Sequence, residues 1–232
     1  MPLYLTGGGD QEDFRGLDRL FLENLPKGAA ILVIPLAVEG DYEEALERAE
    51  DCFAGKKVDA IDMCEDVDKL AWEDLEKYDA VFIEGGNTFV LIQAVRQSAF
   101  FKNLQRYLEA GHSIYADSAG AIVLGTNVRT AFFGEEGDED EKRLQDYRGL
   151  GVIGPWTVHC HYEPGDQDEI QDLLYDSGHP ILALAEPTGV CIDGNTVKVF
   201  GRAPLEVFTF TGHKTFQPGA TLDLDDVQQD TA

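Results

Sequence analysis

The chain has 232 residues, 44% of them hydrophobic and 10% aromatic, enough for one sizeable core and short for two. Its 44 acidic and 18 basic side chains leave a formal net charge of −26. Such a surface repels nucleic acid and anionic membranes, so neither is an expected partner. Cys52, Cys64, Cys160 and Cys191 are scattered and form no C-x-x-C pair. Reduced thiols in a cytoplasmic protein are therefore the expectation. The opening residues show no basic segment followed by an apolar run, so neither a signal peptide nor a membrane span is expected.

Leu3 to Thr6 reads as a short strand running into Gly7-Gly8-Gly9, which allows close backbone approach at the strand end. This is not G-x-G-x-x-G, and no cofactor is expected. Residues 11–25 place Phe14, Leu17, Phe21 and Leu25 on one helical face. Ala30 to Leu36 is a continuous apolar run, as in a strand buried on both sides. A helix is predicted from Asp41 to about Phe53, a strand over Val58–Met63, and a weaker helix over Val67–Leu75. Asp79 to Ile83 is another short strand, ending on Glu84-Gly85-Gly86-Asn87-Thr88. Two helices divided near Ser98 follow. This alternation predicts a mostly parallel sheet with helices on both faces, and ligands bind at the carboxyl ends of such strands.

The next stretch, His112 to Val123, reads H-S-I-Y-A-D-S-A-G-A-I-V. A strand-like run breaks on Asp117-Ser118 and resumes as a helical start. A serine on such a strand–turn–helix elbow presents its oxygen clear of the sheet, beside the free N–H groups of the helix. The tight turn needs small neighbours, and Ala116, Ala119, Gly120 and Ala121 supply them. An ordinary helix N-cap is the competing role for Ser118.

Asn127 to Phe133 leads into Gly134–Glu141, too polar to bury and predicted to be a surface loop. Val158 to Tyr162 reads as a strand carrying His159, Cys160 and His161. Asp166 and Glu169 form a D-x-x-E capping box for a short helix. From Ile181 four strands, at 181–185, 189–193, 196–200 and 205–210, form a meander, with Asp193-Gly194-Asn195 as a hairpin turn. The acidic tail from Gly219 is expected to fray. No interdomain linker or repeat interrupts residues 1–232, so a single α/β domain is expected.

G-G-N-T at 85–88, S-A-G-A at 118–121 and H-Y at 161–162 together resemble the S51 serine peptidases, the family of peptidase E (aspartyl dipeptidase) and cyanophycinase. The resemblance runs from the Leu3-Tyr4-Leu5 strand to the turn at 186–189. It implies a class I glutamine-amidotransferase-like α/β fold and a serine peptidase acting on dipeptides or short peptides through an acyl-enzyme. Ser118 matches the nucleophile and His161 its base. The backbone N–H groups of Gly86 and Ala119 match the oxyanion hole. Asn87 would hold the turn or the substrate, or else cap the following helix.

Family members place the third triad member, an acid, after the elbow helix, in a window spanning Phe133 to Glu136. The peptidase E position falls on Phe133, which cannot serve. The cyanophycinase-like position falls on Glu136, the favoured acid, with Glu135 next. Phe133 also motivates a rival reading, a non-catalytic binding protein on the same fold.

The segment Glu163–Gln171, where peptidase E has the arginine that reads aspartate, holds no Arg or Lys. Strict Asp specificity is therefore not expected unless Arg129 or Arg148 has taken over that role. Glu84 and Asp117 stand beside the two motifs, where relatives usually carry uncharged residues, and either could bind a substrate α-ammonium group. His159 and His161, two apart on a strand, would share a face as zinc ligands do, but no third ligand stands at a compelling spacing and no metal is expected. A homodimer is compatible with the sequence.

Overall fold

A computed structural model of the chain describes residues 2–38, 42–53, 57–135 and 137–229. The apolar runs become strands and the 3.6-period segments become helices. In chain order the first half comprises β1 (Pro2–Thr6), α1 (Gln11–Asn24), β2 (Ala29–Ile34), α2 (Tyr42–Phe53), β3 (Val58–Met63) and α3 (Trp72–Leu75). It continues with β4 (Ala80–Ile83), α4 (Thr88–Val95), α5 (Ala99–Glu109), β5 (Ser113–Asp117) and α6 (Ala119–Leu124). The second half holds β6 (Thr157–His159), α7 (Gln167–Ser177), β7 (Ile181–Leu184), β8 (Thr188–Asp193), β9 (Thr196–Gly201) and β10 (Leu205–Thr209). It ends with β11 (Gly212–Phe216), β12 (Thr221–Asp223) and α8 (Leu224–Gln229).

Eight strands form one sheet in the order β12-β9-β8-β1-β5-β4-β2-β3. Its β1-β5-β4-β2-β3 half is parallel, so the carboxyl ends of β1, β5 and β4 lie side by side. Side-chain alternation divides the core. Leu3, Leu5, Val81, Ile83, Ile114 and Ala116 pack on the α4–α6 side. Tyr4, Ile31, Phe82 and Tyr115 face α1 and α2 with Phe21 and Phe53.

The meander expected from Ile181 is present and is shared between two sheets. The β8–β9 hairpin, turning at Gly194 in the left-handed region (φ 58), adds antiparallel to β1. Strands β7, β10 and β11 join β6 in a four-stranded sheet. Within it, β6 and β7 are parallel, connected through α7, and His159 is registered against Ala183. That register brings together the residues just beyond the two strand ends.

Four expectations are corrected. The helix read over Val67–Leu75 is confined to Trp72–Leu75. The strand read over Val158–Tyr162 stops at His159. The D-x-x-E box does not form. Instead Glu163 and Asp166 make the reciprocal capping pair one turn earlier, because the Asp166 carboxylate turns back to the Glu163 N–H. Finally, residues 219–229 do not fray: β12 pairs with β9, and Leu222, Leu224 and Val227 are buried.

Candidate active site

Ser118 stands between β5 and α6 with φ 46 and ψ −111. A non-glycine residue held there stores about 1–3 kcal/mol of backbone strain, which persists only where the surroundings enforce it. Here the surroundings do. The Ser118 N–H donates to the Thr6 carbonyl at 3.1 Å, and its carbonyl accepts from the Ala121 and Ile122 N–H groups. Every residue of α6 is buried, and a Cβ on Gly120 would meet the Ile83 carbonyl oxygen at 2.4 Å. The serine side chain makes no capping bond, so the N-cap alternative fails. Its oxygen lies instead 2.6 Å from Nε2 of His161.

His161 follows β6 with φ 55 and does not continue the strand. It and His159 therefore do not share a strand face, which removes the zinc geometry read from their spacing. His159 is buried, with Nε2 3.0 Å from the Asp166 carboxylate. That bond holds Asp166 below its usual carboxylate range. No cluster of three or more metal-ligating side chains occurs among the described residues.

The His161 N–H donates to the Gly7 carbonyl at 3.0 Å, and its ring lies over Gly8, where a Cβ would meet Cε1 at 2.3 Å. The triple glycine after β1 is thus the floor beneath the imidazole. Nδ1 of His161 faces Glu186 Oε1 at 3.3 Å. A carboxylate only accepts, so Nδ1 carries the proton and Nε2 is free to accept from the Ser118 hydroxyl.

Glu186 was not singled out in the sequence. It follows β7 as His161 follows β6, and the parallel register is what makes them neighbours. Glu136, the acid favoured from the sequence, lies outside the described residues. Glu135 lines the cavity in front of Ser118. Phe133, in the peptidase E position, packs edge-on to His159 at 5.4 Å.

On the other side of Ser118, Gly86 adopts φ 133 and lines the same cavity. Ala119 opens α6, so its N–H has no acceptor within the helix. Asn87 is a helix cap: Oδ1 accepts from the Phe89 and Val90 N–H groups, both at 3.0 Å. Its Nδ2 donates to the Glu139 carbonyl at 3.0 Å, and Asn87 does not line the cavity. Glu84 is fully buried and faces Arg48 of α2, Nε to Oε1 3.0 Å. It points away from the cavity and cannot meet a substrate ammonium group.

Cys160 lies beside Ser118, but burial drives its thiol well above the ordinary range, so it stays protonated. All four cysteines are free.

The cavity measures about 420 Å³ and is lined by Ser118 and His161 with Thr88, Phe133, Cys160 and Tyr162. Its charged lining residues are Glu135, Asp138, Glu163 and Glu186, all acidic. The polar loop after α6 supplies two of them, Glu135 and Asp138. Asp138 is knitted in, its carboxylate accepting from the Thr88 N–H at 2.8 Å. Arg129 is ion-paired with Asp176, and Arg148 with Asp146, and neither lines the cavity. No helix among the described residues is long and apolar enough to cross a membrane.

Comparison with known proteins points to a family. The model of Peptidase family S51 matches residues 3–200. Peptidase E of Streptomyces coelicolor is 25% identical over 194 residues, covering 79% of this chain and 76% of that protein. A cyanophycinase of Geminocystis herdmanii is 28% identical over 148 residues, 62% of this chain and 51% of the relative. The crystal structure of a peptidase from an acI-B1 Actinobacterium superposes with TM-score 0.67 at 17% identity, covering 96% of both chains.

Proposed function

Because the chain belongs to peptidase family S51, we propose that it hydrolyses short peptides through an acyl-enzyme formed on Ser118. The observation that carries this reading is the 2.6 Å contact between Ser118 Oγ and His161 Nε2 at a strained elbow. His161 takes the serine proton as Oγ attacks the peptide carbonyl, then gives it to the leaving amine. Glu186 holds the imidazole in the required tautomer and stabilises the imidazolium. The N–H groups of Gly86 and Ala119 receive the developing oxyanion, where losing one donor typically costs about 3–4 kcal/mol. Water then releases the acyl group by the same steps in reverse. The carboxylate at Nδ1 supports a catalytic reading over the non-catalytic relative that Phe133 suggests.

The acidic lining supports a substrate choice. An aspartate side chain entering this cavity would lose hydration without meeting a cation, and Glu135, Asp138 and Glu163 would repel it. The net charge of −26 adds a longer-range penalty that salt weakens. The substrates are therefore peptides with uncharged or basic N-terminal residues, and Asp-X dipeptides are poor ones. Comparing kcat/KM for Asp-Leu, Ala-Leu and Lys-Leu at low and high salt tests this. The expected order is Lys-Leu first and Asp-Leu last, with the gap narrowing in salt. Preference for Asp-Leu at both salt levels would contradict it.

A further inference from the structure

Two further acids stand close to the Ser118–His161 pair without a part in the reaction just described. Asp117, before Ser118, accepts from the Thr6 hydroxyl at 2.5 Å and does not line the cavity, so it is not placed to meet a substrate. Asp166 is bound differently. It is buried five residues after His161, and its Oδ2 lies 3.0 Å from Nε2 of His159, the last residue of β6. The same oxygen accepts from the Glu163 N–H at 2.8 Å. One carboxylate oxygen therefore ties the residue two before His161 to the residue two after it. A Cβ on Gly134, on the wall of the cavity, would lie 3.6 Å from Oδ1. The carboxyl group stands behind that wall, and neither it nor His159 lines the cavity.

Nδ1 of His159 is buried and has no hydrogen-bond partner among the described residues. A proton there would be a buried donor left unpaired, so His159 is neutral and carries its proton on Nε2, toward Asp166. A buried carboxylate held by a neutral imidazole costs stability that an apolar pair of the same shape would not. Capping the turn at 164–166 does not account for it, because a cap needs only the Glu163 N–H. The bond to His159 reaches back past His161 to a different element. What lies between explains the arrangement. His161 has φ 55, which a non-glycine residue keeps only where its surroundings enforce it. The Gly7 and Leu184 carbonyls hold the apex of this loop through the His161 and Tyr162 N–H groups. Asp166 holds its two ends, since His159 and Glu163 cannot separate without breaking a bond to the buried carboxylate. With apex and ends both fixed, the imidazole is kept 2.6 Å from Ser118 Oγ.

We infer that Asp166, held by His159, is a positioning residue that sets the reach of His161 toward Ser118. The inference rests on the Ser118–His161 reading and adds to that site two residues that touch neither substrate nor reacting atoms. Their effect passes through the backbone of residues 159–163 to the imidazole.

The test measures kcat and KM on Ala-Leu, whose uncharged side chains do not depend on Glu163, with the rate of fluorophosphonate labelling of Ser118 as readout where turnover is too slow. Asp166→Ala removes both bonds and should lower kcat by about 10²-fold with KM nearly unchanged, the cost of a displacement of about 1 Å at the reacting groups. Asp166→Asn keeps one carbonyl oxygen to accept both N–H groups and should recover most of that loss. His159→Leu suits the rings of Phe133 and Tyr162 around it but loses the bond to Asp166, so kcat should fall, by less than in Asp166→Ala. His159→Gln, with an amide N–H near the place of Nε2, should recover most of what His159→Leu loses. In a His161→Ala chain, Asp166→Ala should lower the residual rate no further, because a residue that acts through His161 has nothing left to act on. A merely structural role would lower the rate equally in both backgrounds, and that result overturns the inference. So does a wild-type kcat in Asp166→Ala. Should Asp166→Ala fail to fold, a wild-type kcat in His159→Leu overturns it. Full activity in His161→Ala would bring down the peptidase mechanism and this inference together, whereas an inactive His161→Ala beside a fully active Asp166→Ala overturns the inference alone.

Discussion

Ser118 rests on a seam of buried small residues between adjacent parallel strands, while His161 and Glu186 reach it from half-exposed positions beyond the second sheet. The first region is held by packing. Its backbone strain is balanced by a helix with no exposed face and by glycines whose Cβ positions are already filled. The second is held by two backbone contacts, His161 N–H to the Gly7 carbonyl and Tyr162 N–H to the Leu184 carbonyl, both 3.0 Å. The lesson is that the geometry of Ser118 is coupled to global stability, whereas the geometry of His161 and Glu186 is a local matter.

Glycine substitutions on the two sides separate these couplings, and they carry the largest expected effects. Gly120→Ala would drive its Cβ into the Ile83 carbonyl, a backbone atom that cannot move aside. It should cost about 3 kcal/mol of stability, the upper end for overpacking, and abolish turnover. Gly8→Ala would strike the imidazole ring, which is exposed enough to swing away. It should abolish most turnover, and because Ala is also strained at φ 95 its melting temperature should fall, by less than in Gly120→Ala. Equal losses of melting temperature in both would break the distinction.

A smaller effect sharpens the second region. Glu186→Gln keeps the shape of the acid but cannot stabilise an imidazolium, so kcat should fall by about 10²-fold or more with KM nearly unchanged. Glu135→Gln, on the rim of the cavity, should change kcat less than Glu186→Gln does. Glu136→Gln distinguishes the acid read from the loop pattern from the acid read from the fold. A larger loss there than in Glu186→Gln would return the role to the loop.

This division also governs what could be read from the sequence. Small residues at fixed spacing mark the seam, so G-G-N-T, S-A-G-A and the Gly7–Gly9 triplet pointed to their places directly. Strand and helix alternation gave the parallel sheet for the same reason, since buried strands read as apolar runs. The Glu186–His161 contact was not legible, because Glu186 reaches His161 only through the register of β6 on β7, which a linear pattern does not encode. Glu84 misled for a related reason. A charge beside a glycine motif reads as a group that faces the substrate, and only the fold shows that Arg48 of α2 lies across from it. The tail misled by composition: its acids face outward while Leu222, Leu224 and Val227 face in.

Covalent labelling tests most directly whether Ser118 is a nucleophile activated by His161. Intact-mass spectrometry after treatment with a fluorophosphonate should show one adduct per chain, located by peptide mapping to Ser118. His161→Ala should label far more slowly, Glu186→Gln at an intermediate rate, and Ser118→Ala not at all. A wild-type protein that stays unlabelled while turning over peptides, or an adduct on another residue, would contradict the account.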